Sequence, residues 1–170
     1  MIIKCILSLA IAAALMCGAD VAAAQDKASQ KFIKEAIEGN LSEIQVGQLA
    51  QQKGQNDDVK AFGRMLQQDH SDANQKATQV AGQLNVTPPS EPGKQDKAVY
   101  DRLAKLPADR FDHQFARAMV ADHKKDIRAF EKQAKKNDAA GQFATQALPT
   151  LRKHLETAVA LEKRGGLPAR

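Results

Sequence analysis

After about residue 25, apolar side chains recur every three or four positions along nearly the whole chain, the period of helices with one buried face. Phe32, Ile33, Ala36, Ile37, Leu41 and Ile44 stripe a first helix from about Lys27 to Lys53. Gly54 and the polar residues after it end that helix, and Asn56 or Asp57 can cap the next. A second helix follows from Asp57 to about Leu84, with Val59, Phe62, Leu66, Ala73, Ala77, Val80 and Leu84 on its stripe. Pro88, Pro89 and Pro92 stop it. Val99, Leu103 and Leu106 predict a short helix from Lys94 to Leu106, closed by Pro107. A third long helix, Ala108 to Lys136, carries Phe111, Phe115, Met119, Ile127, Phe130 and Ala134. The fourth runs from Asp138 to Gly165-Gly166 with Leu148, Leu151, Leu155, Ala158 and Leu161 inward. Pro149 predicts either a kink there or a fresh start. No segment alternates as a strand does.

Connection lengths then set the topology. The first and last pairs of long helices are joined by a few residues and should form antiparallel hairpins. The middle connection is much longer. Its short helix rises about 18 Å and its remaining residues reach about 35 Å, against about 42 Å for a long helix. Such a segment can run the full bundle length. The expected fold is therefore all-α, a ferritin-like four-helix bundle with one long crossover containing a short helix.

Polar residues interrupt this pattern where apolar ones belong. Residues 62–70 read FGRMLQQDH and residues 115–123 read FARAMVADH, two copies of Phe-x-Arg-x-x-x-x-Asp-His. Asp69-His70 and Asp122-His123 both fall among apolar neighbours. His154 lies on the stripe of the last helix, and Glu43 lies at the edge of the first. Antiparallel pairing brings His123 and His154 level, whereas Glu43 is offset by about 6 Å. Buried charge is costly unless it is paired or bound to metal. Two readings follow. In one, His70, His123, His154 and Glu43 hold a single divalent transition metal, zinc or copper. Asp69 then orients His123, and Asp122 orients His70, as acceptors behind the ligands. In the other, the same groups form a metal-free hydrogen-bonded network that fixes helix register. Gln67, Val120 and Leu151 stand three residues before the histidines, so the Glu-x-x-His pattern of di-iron bundles is missing. That absence favours the network.

Other chemistry is sparse. The mature chain has no cysteine nucleophile, no nucleophile elbow and no phosphate-binding glycine loop, so an enzyme is not expected. Lys4, the apolar run from Cys5 to Cys17 and Ala22-Ala23-Ala24 have the layout of a cleavable leader, residues 1–24. Residues 25–170 then form one domain, with retention of the leader as an anchor the alternative. Both cysteines fall in the leader, so the core must hold without disulfides. The net charge of +5 is dispersed in mixed sign. Without an aromatic-interleaved basic patch it does not predict nucleic-acid binding, and it allows only peripheral contact with anionic envelope surfaces. The sequence names no partner and no oligomeric state.

The stretches MLQQDHSDAN at 65–74, MVADHKKDIRAFE at 119–131 and LPTLRKHLE at 148–156 resemble a ferritin-like family of exported bacterial proteins of unknown function, often labelled outer-membrane proteins. The resemblance implies a periplasmic or outer-membrane-associated, non-enzymatic bundle, with a stress-related role by analogy. It implies no reaction. Periplasmic metal binding or buffering through the histidines is the alternative function.

Overall fold

The computed structural model describes residues 10–165, with side chains from 27 to 164. Five helices follow in order: α1 (Ala10–Lys53), α2 (Asp57–Gln83), α3 (Lys94–Ala104), α4 (Ala108–Gln133) and α5 (Ala139–Gly165). No strand occurs among the described residues. α1 begins earlier than predicted, at Ala10, so the cleavage point expected after Ala24 falls within helical backbone. Residues 1–9 of that leader, and its side chains, lie outside the described residues. Among the described residues no helix is long and apolar enough to cross a membrane. α5 is continuous through Pro149.

Local chemistry sets the helix ends. The Asn56 side chain accepts from the Asp58 N–H at 2.8 Å, capping α2. Asp138 does the same for α5, accepting from Gly141 N–H at 2.7 Å. Lys53 Nζ donates to the Ala104 and Leu106 carbonyls at 2.6 and 2.8 Å, closing the end of α3.

The same contacts establish the topology. Gln30 Nε2 donates to the Leu84 carbonyl at 2.9 Å, which places the end of α2 beside residue 30 of α1. The end of α3 sits against Lys53. From Gln30 to Lys53, α1 rises about 35 Å. The α2–α4 connection therefore travels the bundle's length, as its size predicts. Asp112 at the start of α4 accepts from the Gln55 and Asn56 N–H groups at the α1–α2 turn. Ser29 Oγ donates to Asp138 at the α4–α5 turn, at the other end. Two antiparallel hairpins thus pack with α2 parallel to α4.

The apolar core is split. One cluster contains Val46, Leu49, Phe62, Leu66, Phe111 and Phe115, with Leu161. The other contains Ile33, Ile37, Ala77, Phe130, Phe143 and Leu148. Along every long helix the two sets are separated by buried polar residues: Asn40 and Glu43 on α1, His70 on α2, His123 on α4 and His154 on α5. A polar layer crosses the bundle between two apolar ones.

Glycines let α1 and α2 approach just beside that layer. A Cβ on Gly63 would lie 2.6 Å from the Gly47 carbonyl and 2.9 Å from Ala50 Cβ. Gly63→Ala must push backbone from backbone, and is expected to destabilise the chain by about 1–3 kcal/mol. Gly82→Ala is the contrast. A Cβ there meets nothing within 4 Å, so helix propensity alone should act and stabilise by up to about 1 kcal/mol. Urea titration of both variants reads the two signs. Equal effects would refute the close-crossing account.

Candidate metal centre

The polar layer is centred on three imidazoles. His70, His123 and His154 are 5 %, 2 % and 0 % exposed. Their ring centroids form a near-regular triangle, 5.9 Å between His70 and His123 and 5.3 Å for each of the other pairs. One nitrogen from each ring lies within 4.8 Å of the other two.

The outward nitrogens decide what the inward ones can do. His123 Nδ1–H donates to the Met119 carbonyl at 3.0 Å, one turn back on α4. His154 Nε2–H donates to the Asp69 carboxylate at 2.8 Å. His70 Nδ1–H donates to Asn40 Oδ1 at 2.9 Å. All three partner atoms are acceptors, so each ring carries its proton on the outside. Bare lone pairs remain on His123 Nε2, His154 Nδ1 and His70 Nε2. His123 Nε2 and His154 Nδ1 face one another at 3.3 Å, and His70 Nε2 is buried with no hydrogen-bond partner among the described residues.

Burial keeps the rings neutral. Desolvation, followed by the fields of His123 and His154, holds His70 well below the ordinary histidine range. Desolvation and His154 bring His123 down to about 4. His154 is also lowered by burial, against the opposing pull of Asp69. Neutral imidazole with a fixed outer proton is the ligand form of histidine. With metal–nitrogen bonds of about 2.0–2.1 Å, a tetrahedral site has nitrogens about 3.3–3.4 Å apart. The His123–His154 pair already stands at 3.3 Å.

The remaining predicted site residues are placed differently. Glu43 is buried, 2 % exposed, but lies outside the group of three. Its carboxyl is held well above its ordinary value by burial first, then by the charge of Asp122 and a hydrogen bond to it. The offset of Glu43 along the bundle, visible in its residue number, accounts for this. Asp122 consequently does not orient His70. It serves Glu43 and lies 3.6 Å from Lys125 Nζ. Asp69 does sit behind one of the three histidines, but that histidine is His154 and not His123, because α2 packs closely on α5. The residue that orients His70 is Asn40, which was missed. Its signal was present, since Asn40 follows Ile37 by three and Ala36 by four and so lies on the buried stripe of α1.

Two cavities flank the cluster. One, of about 260 Å³, touches His70, His154, Asp69 and Asn40. The other, of about 390 Å³, reaches His70 and Asn40 from the side of α3 and α4. Three nitrogen donors with space beside them suit one metal ion with an exchangeable further position. Among the described residues no pair of carboxylates joins the three rings, which makes a di-iron centre a poor fit.

The family model for a domain of unknown function, DUF4142, matches residues 16–161, the great majority of the chain. The chain belongs to the DUF4142 family. The match takes in α2, α3 and α4 whole, most of α1 and α5, and every residue of the polar layer. Among solved structures, the bundle is similar to a crystal structure of a DUF305 fragment from Deinococcus radiodurans, with a TM-score of 0.72 and 14 % sequence identity. That similarity covers 81 % of this chain and 96 % of the other. At this identity it establishes the shared helical fold alone. No curated protein matches the chain. Family membership thus adds no named reaction or ligand to this DUF4142 bundle.

Proposed function

We propose that this DUF4142 protein binds one divalent transition metal, zinc or copper, through His70, His123 and His154, as an exported, non-enzymatic metal-binding or buffering bundle. One observation carries the reading: three outer acceptors orient the rings so that three lone pairs converge and no donor among the described residues meets them. A self-contained network would pair these nitrogens, whereas here His70 Nε2 is unpaired and two acceptors face each other. A cation satisfies all three at once. The geometry therefore favours the metal over the metal-free network that the missing Glu-x-x-His suggested. Export is supported by the charged, apolar and small-residue order of residues 4–24. A stress-related role rests on family analogy alone.

The test uses untagged protein expressed with its own N-terminus and recovered from the periplasmic fraction. Mass spectrometry should find a mature chain beginning at Gln25, and an intact chain confined to the cytoplasm would refute export. Zinc at 100 times its Kd should stabilise that protein by about 2.7 kcal/mol over a chelated sample. This corresponds to roughly 5–10 °C in Tm. Coincident melting curves with zinc and with chelator would refute the metal reading, whatever the location.

A further inference from the structure

The larger cavity has a charge opposite to that of the protein. The chain carries a net +5, yet this groove is lined by Glu35, Glu38, Asp96, Asp122 and Asp126 against Lys94 and Lys125. Five acids less two lysines leave a formal −3. Lys94 and Gln95 at its rim are exposed, while His70 and Asn40 form its inner wall. The groove thus leads from solvent to the ring whose inward nitrogen has no partner. Beside it, in a smaller cavity shared with Asp96 and Asp122, the buried Glu43 has an unpaired Oε2.

The carboxyls are crowded enough to disturb each other. Asp126 is raised to about 7, by burial first and then by Asp122, with Lys125 opposing. Asp96 is raised by burial and by Asp122, against the pull of Lys125. The cavity on the other side of His70 differs. It also holds two acids and a lysine, Asp69, Asp72 and Lys76. Its formal charge is only −1, and its acids are engaged, Asp69 by His154 and Asp72 by Gln68, as Asp122 is by Lys125 in the groove.

We propose that the acidic groove between α1, α3 and α4 is the entry route of the metal, with Asp96, Asp122 and Asp126 as a weak oxygen-donor station from which a partly hydrated divalent cation passes to His70. This rests on the three-histidine reading and adds a path to it. Carboxylates suit a hydrated divalent ion, and imidazoles then take over as it loses water. A low-dielectric cleft lined by one sign of charge concentrates the opposite ion and speeds its capture.

Zinc loading into the metal-free full chain, followed by stopped flow with a chromogenic zinc indicator, tests the route. Asp96→Asn combined with Asp126→Asn is expected to slow loading about tenfold at low salt and to flatten its salt dependence. The amides remove mutual repulsion, so this variant should melt no lower than the parent. Asp72→Asn, in the other cavity, should load at the parent rate. Parent-like loading by the double variant, or slowing by Asp72→Asn instead, would overturn the route while equilibrium zinc binding still supported the histidine site. If the parent takes up no zinc, the route and the site fail together.

Discussion

Replacing His123 with alanine is expected to lower zinc and copper affinity by well over 100-fold. Loss of a residue that merely orients a ligand costs about 10–100-fold, and in the proposed site His123 would supply a bond. Its ring is one corner of the near-regular triangle: 3.3 Å separates its Nε2 from His154 Nδ1, and its centroid lies 5.9 Å from that of His70. Without it, two nitrogens remain on α2 and α5, and neither Glu43 nor Asp122 belongs to the cluster. The apolar clusters on either side of the layer are untouched, so the metal-free variant should still give a helical circular dichroism spectrum. His113→Ala is the matched control. That residue also lies on α4 but outside the cluster, and its loss should leave affinity within threefold or so, as expected of a substitution away from the site. Isothermal titration of the two variants decides. Equal affinities would remove His123 from any metal site.

The second large effect concerns pH. Histidine must be neutral to ligate, so protons compete with metal below each ring's pKa. A site of exposed histidines, titrating near 6.5, would lose roughly 30-fold in affinity per ring between pH 7.5 and 5. Here all three rings are lowered by burial, His123 to about 4. Affinity should therefore fall less from pH 7.5 to 5 than it would for exposed rings, with the His123 contribution lost only as the pH approaches 4. Zinc titrations in a weakly coordinating buffer across this range test it. A steep loss centred near 6.5 would mean that the rings are solvated and not held neutral.

Linkage to folding has the corresponding sign. A lowered histidine pKa contributes stability that is present above the unfolded value of about 6.5 and is lost as pH falls towards the folded one. Glu43 and Asp126 act in the opposite direction. Their raised values contribute stability at low pH that is lost as pH rises through the folded pKa, about 7 for Asp126. The metal-free bundle therefore combines two opposed pH dependences. The metal-binding curve isolates the histidine part.

The architecture was largely legible because its signals are local. A 3.6-residue stripe, a proline after Val86-Thr87 and an asparagine cap act within a turn or two of themselves. The helices accordingly end within three residues of their predicted limits, the start of α1 aside. The crossover followed from chain length alone. The histidines were legible for a related reason, since each stands in an apolar stripe where burial without a partner is unfavourable.

The acceptors behind the rings were not legible in the same way. Both copies of Phe-x-Arg-x-x-x-x-Asp-His suggest equal roles for their aspartates. In the structure Asp69 bonds His154, whereas Asp122 turns to Glu43 and Lys125. Which neighbour an aspartate meets depends on the rotation and height of another helix, and a repeat within one helix carries no record of either. Asn40 could have been noticed on its stripe, but its partner could not. Met119 acts through its carbonyl, to which side-chain identity gives no clue. The acidic groove is assembled from α1, the crossover and α4, so its carboxylates gather only once the long connection has folded back.

Anomalous scattering at the zinc edge from crystals of the zinc-loaded, untagged protein tests the metal centre most directly. The expected result is one peak per chain in the polar layer, bonded to His70 Nε2, His123 Nε2 and His154 Nδ1 at about 2.0–2.1 Å. His70 Nδ1, His123 Nδ1 and His154 Nε2 should remain hydrogen-bonded to Asn40, Met119 and Asp69. A layer without an anomalous peak, its rings bonded to one another or to water while zinc sits elsewhere on the surface, would contradict it.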